Sequence, residues 1–280
     1  MPNARVIKNR IKSVKNTGKI TKTMAMVSTA KATKVMGVIR SSRPYTNKLT
    51  NLLKTLGSAC ETHPLFVPNP EAKKTLLVVI TANRGLCGGY NANTLKLARK
   101  NIDESSDIIM FGKKGGSVFN FEKIECQEVI ADLPDLPEFD MAVEFADKIT
   151  ETFKSGKYKE VKVVFTKFLS AGSQVPVIEG LLPLAAPSED QAQYGIEPIF
   201  HPDREQLVGE LIPRLVRMSM FRFFLDAKAS EHLARQMAMN SASDNANDMV
   251  KNLNLTYNRA RQAAITTEIS EIVGGAEALN

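Results

Sequence analysis

Between Gln206 and Val273 the chain carries no glycine after Gly209 and no proline after Pro213. Within that run Ala234, Ala238, Ala242, Ala246, Met249, Leu253, Tyr257, Ala260 and Ala264 recur at steps of three and four. Such spacing draws one apolar stripe along one helix. At about 1.5 Å per residue the helix would be on the order of 100 Å long. A globular domain of this chain length is less than half as wide, so such a helix must project from it. The stripe is one-sided and made of alanine where a globular core would use leucine. Small residues along a seam predict that a second helix approaches closely.

The segment from residue 4 to about 57 predicts that second helix. Ile7, Ile11, Val14, Gly18, Thr21, Ala25, Ser28, Ala32, Val35 and Ile39 alternate by four and three, a seven-residue repeat. Pro44 should kink or end the helix, after which Leu49, Leu52, Leu53 and Leu56 resume the pattern. Gly18 in a helix interior costs about 1 kcal/mol against alanine. Arg5, Lys8, Arg10, Lys12, Lys15, Lys19 and Lys22 come without a single acid, and the first carboxylate in the chain is Glu61. Cations at a helix N-terminus oppose its macrodipole, so an acidic partner is expected to balance them.

The formal net charge of +7 points the same way, toward nucleic acid, a membrane surface or an acidic protein. No apolar run approaches the length of a membrane span. The N-terminus has no apolar core of a secretory signal, and its helical periodicity reads as mature structure. Cys60, Cys87 and Cys126 are scattered without a CxxC, which argues for free thiols in a reducing compartment.

Residues 72–200 read differently. Leu76–Thr81, Asp107–Gly112 and Val161–Thr166 are short apolar runs suited to buried parallel strands, with a weaker fourth at Gln174–Ile178. Helical segments are expected at Ala92–Asn101 and Phe139–Lys154, and a loop at Leu133–Pro137. Strand and helix in alternation predict a three-layer, Rossmann-like α/β domain inserted between the two long helices. The expected organisation is therefore a coiled-coil helix at 1–57, an α/β domain at 72–200 and a second coiled-coil helix at 206–280.

Catalytic chemistry finds little support. Gly85-Leu86-Cys87-Gly88-Gly89-Tyr90 lies where a phosphate loop would lie, yet matches neither GxGxxG nor GxxxxGK[ST]. It reads as a tight turn, as does Lys113-Lys114-Gly115-Gly116. Cys87 is a poor candidate nucleophile, because His63, His201 and His232 lie in loops or on the long helix and none has a carboxylate at an obvious orienting spacing. Glu268 and Glu271 share a helix face without an implied pocket, and no metal-ligand cluster stands out. From Ala260 onward Ala263, Ala264, Ile265, Ile269, Ile272, Val273, Ala276 and Leu279 leave little polar surface beside a narrow strip of Thr266, Thr267, Glu268, Ser270 and Glu271, so another protein is expected to enclose this tail.

Several stretches carry a resemblance. Ile11–Thr17 continuing through Lys19–Val27, the turn Leu86–Asn91, Ser230-Glu231 with Ala234-Arg235, and above all Tyr257–Ala276 resemble the gamma-subunit family of F-type ATP synthases. The likeness covers the chain end to end; Gly18 departs from it, where that family looks usually to have glutamine. The resemblance implies a non-catalytic rotor shaft that couples proton flow through a membrane c-ring to ATP synthesis or hydrolysis in a ring of alpha and beta subunits, and that regulates the complex. It implies epsilon as a further partner, no nucleic acid, no cofactor and no catalytic or metal-binding residue. It implies a peripheral place on the cytoplasmic face of a bacterial inner membrane. The contacts it carries over between rotor and ring are Met24, Arg235, Arg261, Gln262, Thr266 and Glu268. No dithiol insertion of the chloroplast type is present, so redox control is not implied.

Volume matching along the two stripes sets an expected antiparallel register. It pairs Ile7 with Leu253, Ile11 with Met249, Val14 with Ala246, Gly18 with Ala242, Thr21 with Ala238 and Ala25 with Ala234, and brings Met24 to the level of Arg235. Two other classes remain open on the residues alone. A coiled-coil nucleic-acid binder would lack interleaved aromatics, and a Rossmann-like enzyme with helical arms would lack a phosphate fingerprint.

Overall fold

The computed structural model describes residues 4–56, 63–67, 70–184 and 203–277. Two very long helices are present, α1 (Ala4–Leu56) and α5 (Arg204–Glu277). They are shared between two compact units, one made of Met1–Val27 with Gln236–Asn280, the other of Ser28–Arg235.

The larger unit is built on a five-stranded sheet: β1 (Lys74–Ile80), β2 (Ser106–Phe111), β3 (Glu128–Ile130), β4 (Tyr158–Ser170) and β5 (Ser173–Leu182), in the order β3-β2-β1-β4-β5. The first four run parallel, and β5 returns antiparallel beside β4. Strand β1 is central and buried on both faces, which is why it reads as an unbroken apolar run. Leu77 and Val79 join one core with Leu95 and Ala98 of α2 (Tyr90–Arg99) and Phe119 of α3 (Lys113–Phe121). Leu76, Val78 and Ile80 join the other core. There α4 (Phe139–Lys154) supplies Phe145, Ile149 and Phe153, α1 supplies Val35, Ile39 and Leu49, and α5 supplies residues from Val208 to Ala229. Phe111 meets Phe145 and Phe224 edge-on, with ring centroids 4.7 and 4.9 Å apart. The expected three-layer α/β architecture is observed.

The structure adjusts the local reading at four places. Lys113-Lys114-Gly115-Gly116 is the first turn of α3, not a free turn. Its glycines serve packing: a Cβ on Gly115 would stand 2.4 Å from Thr81 Oγ1, and Gly112 before it sits at φ +100°. Strand β3, three residues long, escaped notice because it is too short for periodicity. Strand β5 runs to Leu182, well past the expected Ile178. Of the two outcomes expected at Pro44, a kink or an end, the helix does not end there. Buried Ile39 and Leu49 anchor the helix to the core on either side of it, which outweighs the one backbone bond proline removes. Pro213 likewise lies inside α5. Cys60 and His201 lie outside the described residues, as do Ala278–Asn280, the last of the tail.

The smaller unit pairs the first part of α1 with the last part of α5. Ile7, Ile11, Gly18, Thr21 and Ala25 are buried and Val14 is half-buried, so the seven-residue repeat of α1 is a true seam. The facing stripe differs from expectation. On α5 it is Met239, Ser243 and Ala246 that are buried, with Val250, Leu253, Tyr257 and Ala260 half-buried, whereas Met249 is 46% exposed. Gly18 meets Ser243 and Ala246 rather than Ala242, residues that lie slightly further along α5. Its absent Cβ would be 3.2 Å from Ala246 Cβ. Its carbonyl accepts hydroxyl hydrogen bonds from Thr21 at 3.0 Å and from Ser243 at 3.4 Å. Volume matching could not choose between Ala242 and this pair, since both are small; the serine hydroxyl favours the observed one.

Candidate functional site

The loop after β1 occupies the position where α/β proteins commonly hold phosphate. Here the chain fills it with its own groups. Ala82 N–H donates to Asn91 Oδ1 at 2.9 Å, and Asn91 Nδ2 reaches Cys87 Sγ at 3.4 Å. Leu86 and Gly88 take φ values of 61° and 56° to make the reversal. At the start of α3, the amides of Lys113, Lys114 and Gly115 donate to Asn83 Oδ1, Ala82 O and Thr81 Oγ1. These are the amides that would cradle an anion at a helix start, and each already has a partner. The turn is also tied to α5. Tyr90 donates its hydroxyl hydrogen to Ala227 O at 3.1 Å, Arg235 donates to the carbonyls of Arg84 and Gly85, and Ala234 packs on Ala82, Cys87 and Tyr90. Ala234 is thus a docking residue for this turn.

A cleft of 360 Å³ opens beside the turn, lined by Asn83, Arg84, Lys113, Asp135, Lys228 and Glu231 among others. Its floor is a buried ionic cluster. Glu231 accepts from Lys228 at 2.9 Å and from Arg235 at 2.8 Å, all three nearly buried. Asp135 is paired with Lys31, and His232 Nε2 lies 3.1 Å from the Asp135 carbonyl oxygen. Asp135, Glu231 and His232 bring ligand atoms within 4.8 Å of one another, a grouping that sequence reading did not find. Both carboxylates are already balanced by lysine or arginine, which is the composition of a structural ion network rather than of a metal cage. Burial lowers the His232 pKa and favours the neutral ring. The Lys228, Glu231 and Arg235 spacing of three and four was legible as one helix face, but Asp135 comes from a loop.

The Cys87 thiol is poorly suited to attack. Burial pushes its pKa up, and its contacts are Asn91 and the Arg84 carbonyl. Among the described residues no histidine hydrogen-bonds to it.

The smaller unit presents a different kind of surface. Lys8, Arg10, Lys12, Lys15, Lys19 and Lys22 are exposed along α1. Val6, Ile20, Met26 and Val27 stand exposed beside them, and on α5 so do Leu255, Ile265, Ile269, Ile272 and Val273. Arg261, Gln262, Thr266 and Glu268 are exposed, and the Thr266 hydroxyl returns to the Gln262 carbonyl at 2.9 Å. Met24 is half-buried, while Arg235 belongs to the ionic cluster of the larger unit. The six expected contact residues therefore divide: four are exposed, one is half-buried, and one has its guanidinium bonded to Glu231 and to two backbone carbonyls. No helix among the described residues is long and apolar enough to cross a membrane.

Known proteins resemble this chain along its whole length. The family model described as ATP synthase matches residues 3–279. The chain is 41% identical to the ATP synthase gamma chain of Flavobacterium johnsoniae over 287 residues, covering all of both chains. It is 41% identical to that of Moorella thermoacetica over 286 residues, again end to end. Its fold is similar to a chain in the cryo-EM structure of Euglena gracilis mitochondrial ATP synthase (OSCP, F1 and c-ring, rotational state 3), with a TM-score of 0.71 at 19% identity over 99% of this chain and 94% of that one. A chain in the central stalk and c-ring of the Tetrahymena thermophila mitochondrial enzyme gives a TM-score of 0.61 at 22% identity, covering 80% of this chain and 99% of that one.

Proposed function

The chain belongs to the ATP synthase gamma-chain family, and from that premise we propose that it is the central rotor shaft of a bacterial ATP synthase, itself without catalytic chemistry. Proton flow through the c-ring turns the shaft, and the shaft drives the nucleotide sites of the surrounding alpha and beta subunits through their states in sequence and regulates their activity. The observation that carries this reading is the unequal finish of the smaller unit. Its helices bury a narrow seam against each other and leave isoleucines, valines and a run of cations bare, a surface made to be enclosed by another protein. The shaft couples sites by offering each one a different set of contacts at each angle.

Within this reading Met24, Arg235, Arg261, Gln262, Thr266 and Glu268 serve the rotor–ring contact. Arg235 acts through the turn it holds, since its guanidinium is already bonded to Glu231 and to the carbonyls of Arg84 and Gly85. Epsilon and the c-ring meet the α/β part of the shaft, at the cytoplasmic face of the inner membrane. The test is direct observation of rotation. With the alpha–beta ring immobilised and a bead fixed through Lys100→Cys on exposed α/β surface, ATP should drive stepping in one direction. ATP turnover by the assembled complex with the bead stationary would overturn the rotor reading.

A further inference from the structure

Asp226 lies on the buried stretch of α5 and is only 5% exposed. It lines a cleft of 200 Å³ whose walls are Ile39 and Ser42 of α1, Phe168 of β4, and Met218, Phe221 and Leu225 of α5. Among the described residues nothing donates a hydrogen bond to its carboxylate. Charged groups face it from every element around the cleft: Arg43 from α1, Lys167 from β4, Glu179 from β5 and Arg222 from α5. Two of the three cations are committed elsewhere. Glu179 holds Lys167 at 2.8 Å and Arg222 at 2.6 Å, and Arg222 also stacks on the Phe223 ring. Asp226 is thus a desolvated carboxylate, two of whose three cationic neighbours are held by a second carboxylate. An unpaired buried charge of this kind is costly, and it is relieved by a proton or by water.

We propose that this cleft is a proton-binding joint: α1, β4 and α5 close over a neutral Asp226, and an ionised Asp226 draws water in and loosens them. The cleft has room for several water molecules at about 30 Å³ each. Burial, working against the attraction of Arg222, Lys167 and Arg43, raises the Asp226 pKa from 3.8 to about 6. A raised carboxyl pKa means that the folded chain binds the proton more tightly than the unfolded chain. The stabilisation it brings is absent well above pH 6, grows as pH falls through that value and is complete below the unfolded value. The joint therefore stiffens on mild acidification, in a range where ordinary aspartates stay ionised.

Two measurements on the full chain test this. The Asp226 carboxyl carbon, followed by NMR, should titrate with a midpoint near 6, and Arg43→Gln should move the midpoint upward. Asp226→Asn, which fixes the neutral state, should lower the unfolding equilibrium constant about a hundredfold at pH 8, and this advantage should shrink about tenfold by pH 5. A midpoint below 4.5 would overturn the proposal. So would an Asn variant that is less stable at pH 8, or one whose gain is the same at both pH values, because the carboxylate would then be paired or the effect would be packing.

Discussion

Helix α5 runs without interruption from Arg204 to Glu277, yet its two halves are stabilised by different physics. From Val216 to Leu233 nearly every residue is buried, including Phe223, Phe224 and the charged Lys228 and Glu231. From Lys251 to Val273 no described side chain is fully buried, and Ile269 is 56% exposed. The first half owes its stability to enclosure on all sides. The second half has one close seam, set by Gly18 against Ser243 and Ala246, and leaves Leu255, Ile265, Ile269, Ile272 and Val273 exposed. One helix can therefore be core residue by residue in one stretch and unfinished interface in the next.

The contrast breaks most readily in the buried half. Glu231→Gln strands the buried cations Lys228 and Arg235 and should cost about 3–5 kcal/mol in denaturant unfolding of the larger unit. Phe224→Ala, which opens a cavity beside Phe111 and Phe145, should cost a similar ~3–5 kcal/mol. In the seam the effect should be smaller. Gly18→Leu forces the helices apart at Ala246 and should cost about 1–3 kcal/mol, read as faster hydrogen exchange along residues 11–25. Ile265→Ala with Ile269→Ala should change the stability of the free chain by less than about 0.5 kcal/mol. The same pair should weaken assembly with the alpha–beta ring at every salt concentration. Replacing Lys8, Arg10, Lys12 and Lys15 by glutamine should leave the free chain unharmed and weaken assembly mainly at low salt, because screening removes the native advantage at high salt.

Much of this division was legible in the residues because burial leaves periodicity behind. The four-three alternation from Ile7 to Ile39 named the seam of α1, and the run Leu76–Ile80 named the central strand. The facing stripe on α5 was less legible because alanine occurs on several of its faces and marks none of them. Choosing Ser243 and Ala246 over Ala242 required a hydroxyl bond that volume alone does not encode. Helix α3 was hidden by its two glycines, whose reason is a close approach to Thr81 and Val129. The ionic cluster was half legible: Lys228, Glu231 and Arg235 share a helical face, but Asp135 and Lys31 join them only through the fold. Asp226 gave no signal, since a lone aspartate in a helix reads as solvated until its neighbours are known.

The most direct measurement is side-chain footprinting of the full chain, free and again after assembly with the alpha–beta ring. A rotor shaft with an unfinished surface predicts strong labelling of Ile265, Ile269, Ile272 and the Lys8–Lys15 cations in the free chain and loss of that labelling on assembly. Phe223, Phe224 and Leu225 should be dark in both states. Equal labelling of the α5 isoleucines before and after assembly would show that no partner encloses them, and would contradict the shaft.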